Sequence, residues 1–90
     1  MKYTVLWSNK AEAQLTALWL ASRARQLITE ATNTIDSHLA VNPHECGESR
    51  PNGARILHVV PLGVLFSADE INRTVIVQAV WQYKTRPKKA

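Results

Sequence analysis

Disulfides, metal-binding clusters and membrane spans are all things this sequence lacks. A single cysteine, Cys46, excludes an internal disulfide and gives no reason to place the chain in an oxidising compartment. His44 and Glu45 stand beside it, but one thiol with scattered histidines lacks the paired spacing of a zinc site, so neither metal nor cofactor is expected. No apolar run reaches spanning length, and Met1-Lys2-Tyr3-Thr4-Val5 enters a strand-like alternation without the apolar stretch of a signal peptide. A cytoplasmic protein that meets no membrane is the expectation. Also missing are a glycine-rich phosphate loop, a serine elbow, carboxylates at catalytic spacing, internal repeats and low-complexity tracts.

What remains is 90 residues, enough for one core but not two. Hydrophobic residues at 46% against 20% charged are ordinary for a folded chain, so disorder is not expected outside the last few residues. The net charge of +4 favours acidic partners, whether nucleic acid or protein. Its distribution says more than its sum: seven of the eleven cations lie in the second half, and Lys84, Arg86, Lys88 and Lys89 crowd the end.

The three glycines are few enough to be informative, and the last of them sits in the segment around which the chain is organised, residues 53–68. This segment reads as two strands folded about Pro61-Leu62-Gly63, with Pro61 at the first central position of a type I turn and Gly63 in the left-handed conformation. Leu57, Val59, Val64 and Phe66 recur at period two and share a buried face. Ile56, His58, Leu65 and Ser67 fall on the other face. A histidine and a serine among apolar neighbours suit a partly open sheet surface, and function is expected there.

The rest of the chain supplies what that hairpin packs against. Residues 3–7 alternate as a first strand; Ser8 and Asn9 then offer N-cap oxygens, with Glu12 placed to complete a capping box from Asn9. Ala11, Leu15, Leu18 and Trp19 follow helical spacing until the pattern breaks near Ser22. A second helix is expected from about 23 to about 40, burying Ala24, Leu27, Ile28, Ala31, Ile35 and Leu39 and ended by Pro43. Residues 42–52 read as an exposed loop. Residues 74–81 form a valine-rich strand expected to be covered on both faces, and Trp7, Trp19 and Trp81 are assigned to the core. The expected fold is α+β: order βααβββ, an antiparallel helical hairpin packed on one face of a largely antiparallel four-stranded sheet. One domain over residues 1–82 and a basic tail over 83–90 complete it.

This order, together with Tyr3-Thr4-Val5-Leu6-Trp7-Ser8, Ile35-Asp36, Leu39, Asn42-Pro43, Gly47-Glu48-Ser49-Arg50, Arg55-Ile56-Leu57, Pro61-Leu62-Gly63-Val64-Leu65-Phe66 and Val75-Ile76-Val77, resembles the RelE/ParE superfamily of bacterial toxins. The resemblance covers nearly the whole chain and rests on spacing rather than on any one signature. It implies the toxin half of a type II toxin-antitoxin pair, held in check by a small cognate antitoxin. RelE-like members cleave messenger RNA on the ribosome without a metal, whereas ParE-like members poison DNA gyrase through protein contacts. A non-catalytic or attenuated binding module is the remaining alternative.

The residues divide between these possibilities. Ribonucleolytic chemistry through a 2′-oxygen needs a base, cations for the phosphate and an acid for the leaving oxygen. The resemblance makes His58 a candidate base or phosphate contact, Arg86 a phosphate stabiliser, and Tyr83 a stacking or proton-donating group. Arg50 and Arg55, with Lys84, Lys88 and Lys89, are candidate nucleic-acid contacts. Against this, Ile56 and Leu65 stand where the nuclease members carry cations, and one lost charge of that kind costs about 3 to 4 kcal/mol of transition-state stabilisation. Structural roles compete at every position: a histidine bonded to a neighbouring loop, arginines paired with Glu45 or Glu48, a solvated basic tail. On the protein-target alternative, Ile56, Leu65 and Ser67 are partner contacts on the open face.

Overall fold

The structure, a computed structural model, describes residues 2–83. Its first strand, β1 (Thr4–Trp7), runs into helix α1 (Asn9–Ala21) at Ser8, whose hydroxyl accepts a hydrogen bond from the Ala11 N–H at 3.1 Å. The cap is therefore Ser8 alone. With the helix starting one residue earlier than a cap at Asn9 requires, Glu12 lies past the third helical position, and the expected capping box does not form. Helix α2 (Arg25–Val41) follows and ends where Pro43 begins a single 3-10 turn. It buries Ile28, Ala31, Ile35 and Leu39 but leaves Ala24 and Leu27 exposed, because the stripe meeting the sheet is narrower than the apolar set.

Three longer strands follow, β3 (Arg55–Val59), β4 (Leu62–Asp69) and β5 (Thr74–Gln82). The region read as an exposed loop also contributes a two-residue strand, β2 (Glu48–Ser49), which pairs with β3, so the sheet has five strands rather than four. Their order is β1-β5-β4-β3-β2, with β1 parallel to β5 and every other pair antiparallel. Both helices cover one face. From the helices, Ala11, Ile28, Ala31, Ile35 and Leu39 meet Leu62, Val64, Phe66, Val75, Val77 and Val80 of the sheet in one core. The Trp7 indole N–H donates to Asp36 Oδ1 at 2.8 Å, fastening β1 to α2.

Two local features depart from the sequence expectation and shape the open face. The β3–β4 turn is the two-residue loop Val60-Pro61 with a cis peptide between them, so Pro61 takes the third turn position and not the second. Gly63 is accordingly a strand residue, paired with His58, and needs no left-handed conformation. In β5 the register slips by one residue at Gln78: Leu65 pairs with Ala79, but Phe66 pairs with Val77. Val75 and Val77 before the slip and Val80 after it all point into the core, and the Val80 N–H is taken by Gln14 Oε1 of α1 at 2.9 Å. The strand expected to be covered on both faces is thus covered on one, with Ile76 42% exposed.

The β4–β5 turn is held by Asp69, which accepts from the backbone N–H groups of Ile71 (3.0 Å) and Asn72 (3.2 Å) and from the Asn72 side-chain amide (2.7 Å). The Asn72 amide first, and then its backbone N–H, hold the Asp69 carboxyl below its ordinary range. A folded value lowered in this way contributes stability above the unfolded carboxyl pKa and loses it as pH falls through the folded value. Urea unfolding of the wild type should weaken below about pH 5, with a shallower acid limb in Asp69→Ala. Identical acid limbs would show that the turn carboxylate does not contribute. The group is fully exposed, so the difference is small.

Candidate functional site

The face of the sheet away from the helices is built from alternate residues of four strands. Register brings them together: Ile56 pairs with Leu65 and Leu65 with Ala79, Ser67 pairs with Ile76, and His58 pairs with Gly63 and Gly63 with Trp81. Leu6 of β1, paired with Ile76, extends the row to the sheet edge and is 51% exposed. Ile56, Leu65 and Ser67 are half-buried, as the sequence alternation requires of residues on an open face. Ser67 Oγ accepts from the Gln78 side-chain amide at 3.1 Å, so two polar groups in the row satisfy each other.

At one end of this face three rings gather. Tyr83 is held beside the turn by its N–H, which donates to the Pro61 carbonyl at 3.0 Å. Its ring meets the exposed His58 ring edge-on, with centroids 4.9 Å apart, and the Trp81 ring is also edge-on to His58, at 6.4 Å. Trp81, expected in the core, is turned to the open face by the slip at Gln78. Trp19 is also outside the core, 38% exposed and stacked under the Arg25 guanidinium at 4.6 Å, whereas Trp7 does pack against it.

The structure therefore brings His58 and Tyr83 together, and adds Trp81. Arg86, Lys84, Lys88 and Lys89 lie outside the described residues. The two described arginines named as nucleic-acid contacts are otherwise engaged. Arg50 pairs with Glu48 at 3.1 Å on the β2 margin. Arg55 donates to the carbonyls of Cys46 (2.8 Å) and Gly47 (3.0 Å), clamping the segment that leads into β2. Gly47 takes φ +68°, and a Cβ there would run into the β3 backbone at Ile56, which is why that segment needs glycine. No Lys or Arg occupies an open-face position of β1, β3, β4 or β5 among the described residues.

Other chemistry is sparse. Burial pushes the Cys46 thiol up, partly opposed by the charge of Arg55, and its Sγ lies 3.6 Å from the His38 carbonyl oxygen; a thiol so placed is a poor nucleophile. His44 lies 4.0 Å from Glu70 on the surface. Among the described residues there is no group of three or more His, Cys, Asp or Glu side chains that could hold a metal ion, and no helix is long and apolar enough to cross a membrane. What the face offers is two apolar patches, Leu6 with Ile76 and Ile56 with Leu65 and Ala79, parted by the Ser67–Gln78 pair, and at one end an imidazole, a phenol and an indole.

No family model matches the sequence, and no curated protein matches it. Solved structures do. A chain of the RelBE2 toxin-antitoxin complex from Mycobacterium tuberculosis superposes with a TM-score of 0.77 at 19% identity, over 92% of this chain and 93% of that one. A chain of the chromosomal ParDE TA system from P. aeruginosa follows at 0.64 and 17%, covering 91% and 97%. A chain of the intact RelBE toxin-antitoxin complex from E. coli gives 0.60 at 10%, covering 92% and 99%. At these identities the likeness is one of fold.

Proposed function

We propose that this chain, which has the RelE/ParE fold, is the toxin component of a type II toxin-antitoxin pair and arrests growth through protein contacts made by its open sheet face. The carrying observation is the chemistry of that face. Leu6 with Ile76, and Ile56 with Leu65, make most of that face apolar on either side of the Ser67–Gln78 pair, and no cation stands on the described positions of β1, β3, β4 or β5 that share it. Apolar surface of this kind gains free energy when a protein covers it, while RNA would leave its phosphates without counter-charges. A small cognate antitoxin and a cytoplasmic setting belong with this reading, and DNA gyrase is the target the ParE-like resemblance suggests. A second reading, ribosome-dependent cleavage of messenger RNA, is favoured by one observation: the His58 and Tyr83 rings meet at the end of the same face, where the basic segment containing Arg86 begins.

Expression with and without the product of the adjacent open reading frame tests the toxin assignment, which fails if growth continues in both cases. Given arrest, loss of gyrase supercoiling supports protein contact, and new messenger RNA ends support cleavage. His58→Ala and Arg86→Ala should leave arrest intact if the target is a protein. Relief of arrest in both would transfer the assignment to the ribonuclease.

A further inference from the structure

We infer that Gln14, on the helical layer, is a positioning residue for the opposite face of the sheet: by holding the slip in β5 it makes Trp81, and not Val80, the neighbour of His58. Its part in function rests on reading that face as the docking surface; its geometry rests on the ladder alone. Regular strands send successive side chains to opposite faces, so one unpaired residue reverses the assignment of everything after it. Gln78 is that residue, since Phe66 pairs with Val77 and Leu65 with Ala79. Val75 and Val77 before it are buried, and Val80 after it is 2% exposed in the same core. Trp81 therefore comes to lie opposite Gly63, where a Cβ would stand 2.6 Å from the indole Nε1. Without the slip Val80 would pair with Gly63, and the indole would turn toward the helices.

The β1 ladder does not reach the slip. It ends where Trp7 pairs with Val77, and the Ser8 N–H closes it on the Val77 carbonyl at 2.9 Å. From there on β5 is met by α1. The helix comes close because the residue it buries is the small Ala11, and Gln14, three positions further along the same helical face, reaches the strand. Its Oε1 accepts from the Val80 N–H at 2.9 Å. With Val80 buried, that N–H has no water to turn to, and a donor left unpaired there costs more than the bond itself contributes. Ser8 Oγ donates to the Gln78 carbonyl at 3.3 Å, a longer and exposed bond, so the firmer hold on the slip is at Gln14.

Proton NMR of the full chain tests this. The Gly63 α-proton that takes the place of a Cβ points at the Trp81 indole, so a nuclear Overhauser effect between them reports the corner directly. Gln14→Glu keeps an acceptor oxygen and should keep that signal. Gln14→Met, of similar length but without an acceptor, should lose it, and its Val80 amide should exchange with solvent about tenfold faster or more. Deleting Gln78 removes the unpaired residue, so ordinary alternation then puts Trp81 on the open face, and Gln14→Met in that background should keep the signal. A folded Gln14→Met that retains the Gly63–Trp81 contact overturns the inference. So does Gln14→Glu losing it as fully as Gln14→Met, or Gln14→Met losing it with Gln78 deleted. If Gln14→Met does not fold, folding restored by the deletion supports the inference and folding absent in both overturns it. In the wild type, a Val80 amide that exchanges as fast as exposed loop amides overturns it with no substitution. Growth assays keep the two readings apart. Full arrest in a Gln14→Met chain that has lost the contact keeps the positioning role and removes the corner from the docking surface; arrest relieved with the contact intact rejects the positioning role and leaves the docking surface standing.

Discussion

Phe66→Ala should lower the unfolding free energy by about 3 to 5 kcal/mol, and the melting temperature by more than about 10 °C. Phe66 is fully buried in β4, between β3 and β5, and belongs to the single core shared with Ile28, Ile35 and Leu39 of α2. Truncating it removes the transfer free energy of the ring and leaves a cavity that the neighbouring strands cannot close without breaking their ladders. A domain of this size has a total stability of only about 5 to 13 kcal/mol, so the loss is a large fraction of the whole. Ser67→Ala, one residue along but on the open face, should change stability by less than about 1 kcal/mol. Urea or thermal unfolding of the two variants measures the contrast directly. Near-equal losses would mean that the helical layer does not pack on β4.

That contrast was legible in the sequence because period-two alternation in β3 and β4 is unbroken. Leu57, Val59, Val64 and Phe66 on one side, and Ile56, His58, Leu65 and Ser67 on the other, are sorted as the pattern sorts them. Beyond Gln78 the pattern misleads. Strict alternation from Val75 assigns Ala79 and Trp81 to the core and Val80 to the open face; the one-residue slip reverses all three, and a local sequence has no means of showing it. The slip is fixed by partners distant in the chain, Gln14 at the Val80 N–H and Ser8 at the Gln78 carbonyl. The short strand β2 was hidden for a related reason, since Glu48 and Ser49 carry no strand pattern and pair because Arg55 and Gly47 hold the loop against β3. Pro61 and Gly63 stand out in the sequence, but their tasks depend on where the ladder ends: the turn closes before Leu62, which leaves Gly63 in the ladder.

Gly63→Ala should therefore act on the site rather than on the turn. In the ladder Gly63 lies between His58 and Trp81, and a Cβ at that position would stand 2.6 Å from Trp81 Nε1, 2.7 Å from its Cε2 and 2.9 Å from His58 Cδ2. Atoms of this size do not approach within 3.0 Å, so both rings must swing outward, away from the strand on which they rest. Overpacking of this kind costs about 1 to 3 kcal/mol, including the edge-on contacts of His58 with Trp81 and Tyr83. An indole displaced into water shifts its fluorescence to the red, and urea unfolding gives the loss of stability. Trp81 would then obstruct that end of the open face, and arrest should fall in Gly63→Ala while His58→Ala keeps it, because a protein-docking face depends on its shape more than on the imidazole. If His58→Ala abolishes arrest as completely as Gly63→Ala does, the imidazole itself is the working group and the ring cluster is a catalytic corner. If Gly63→Ala changes neither fluorescence nor stability, His58 and Trp81 do not rest on Gly63, and the arrangement of the three rings described above is wrong.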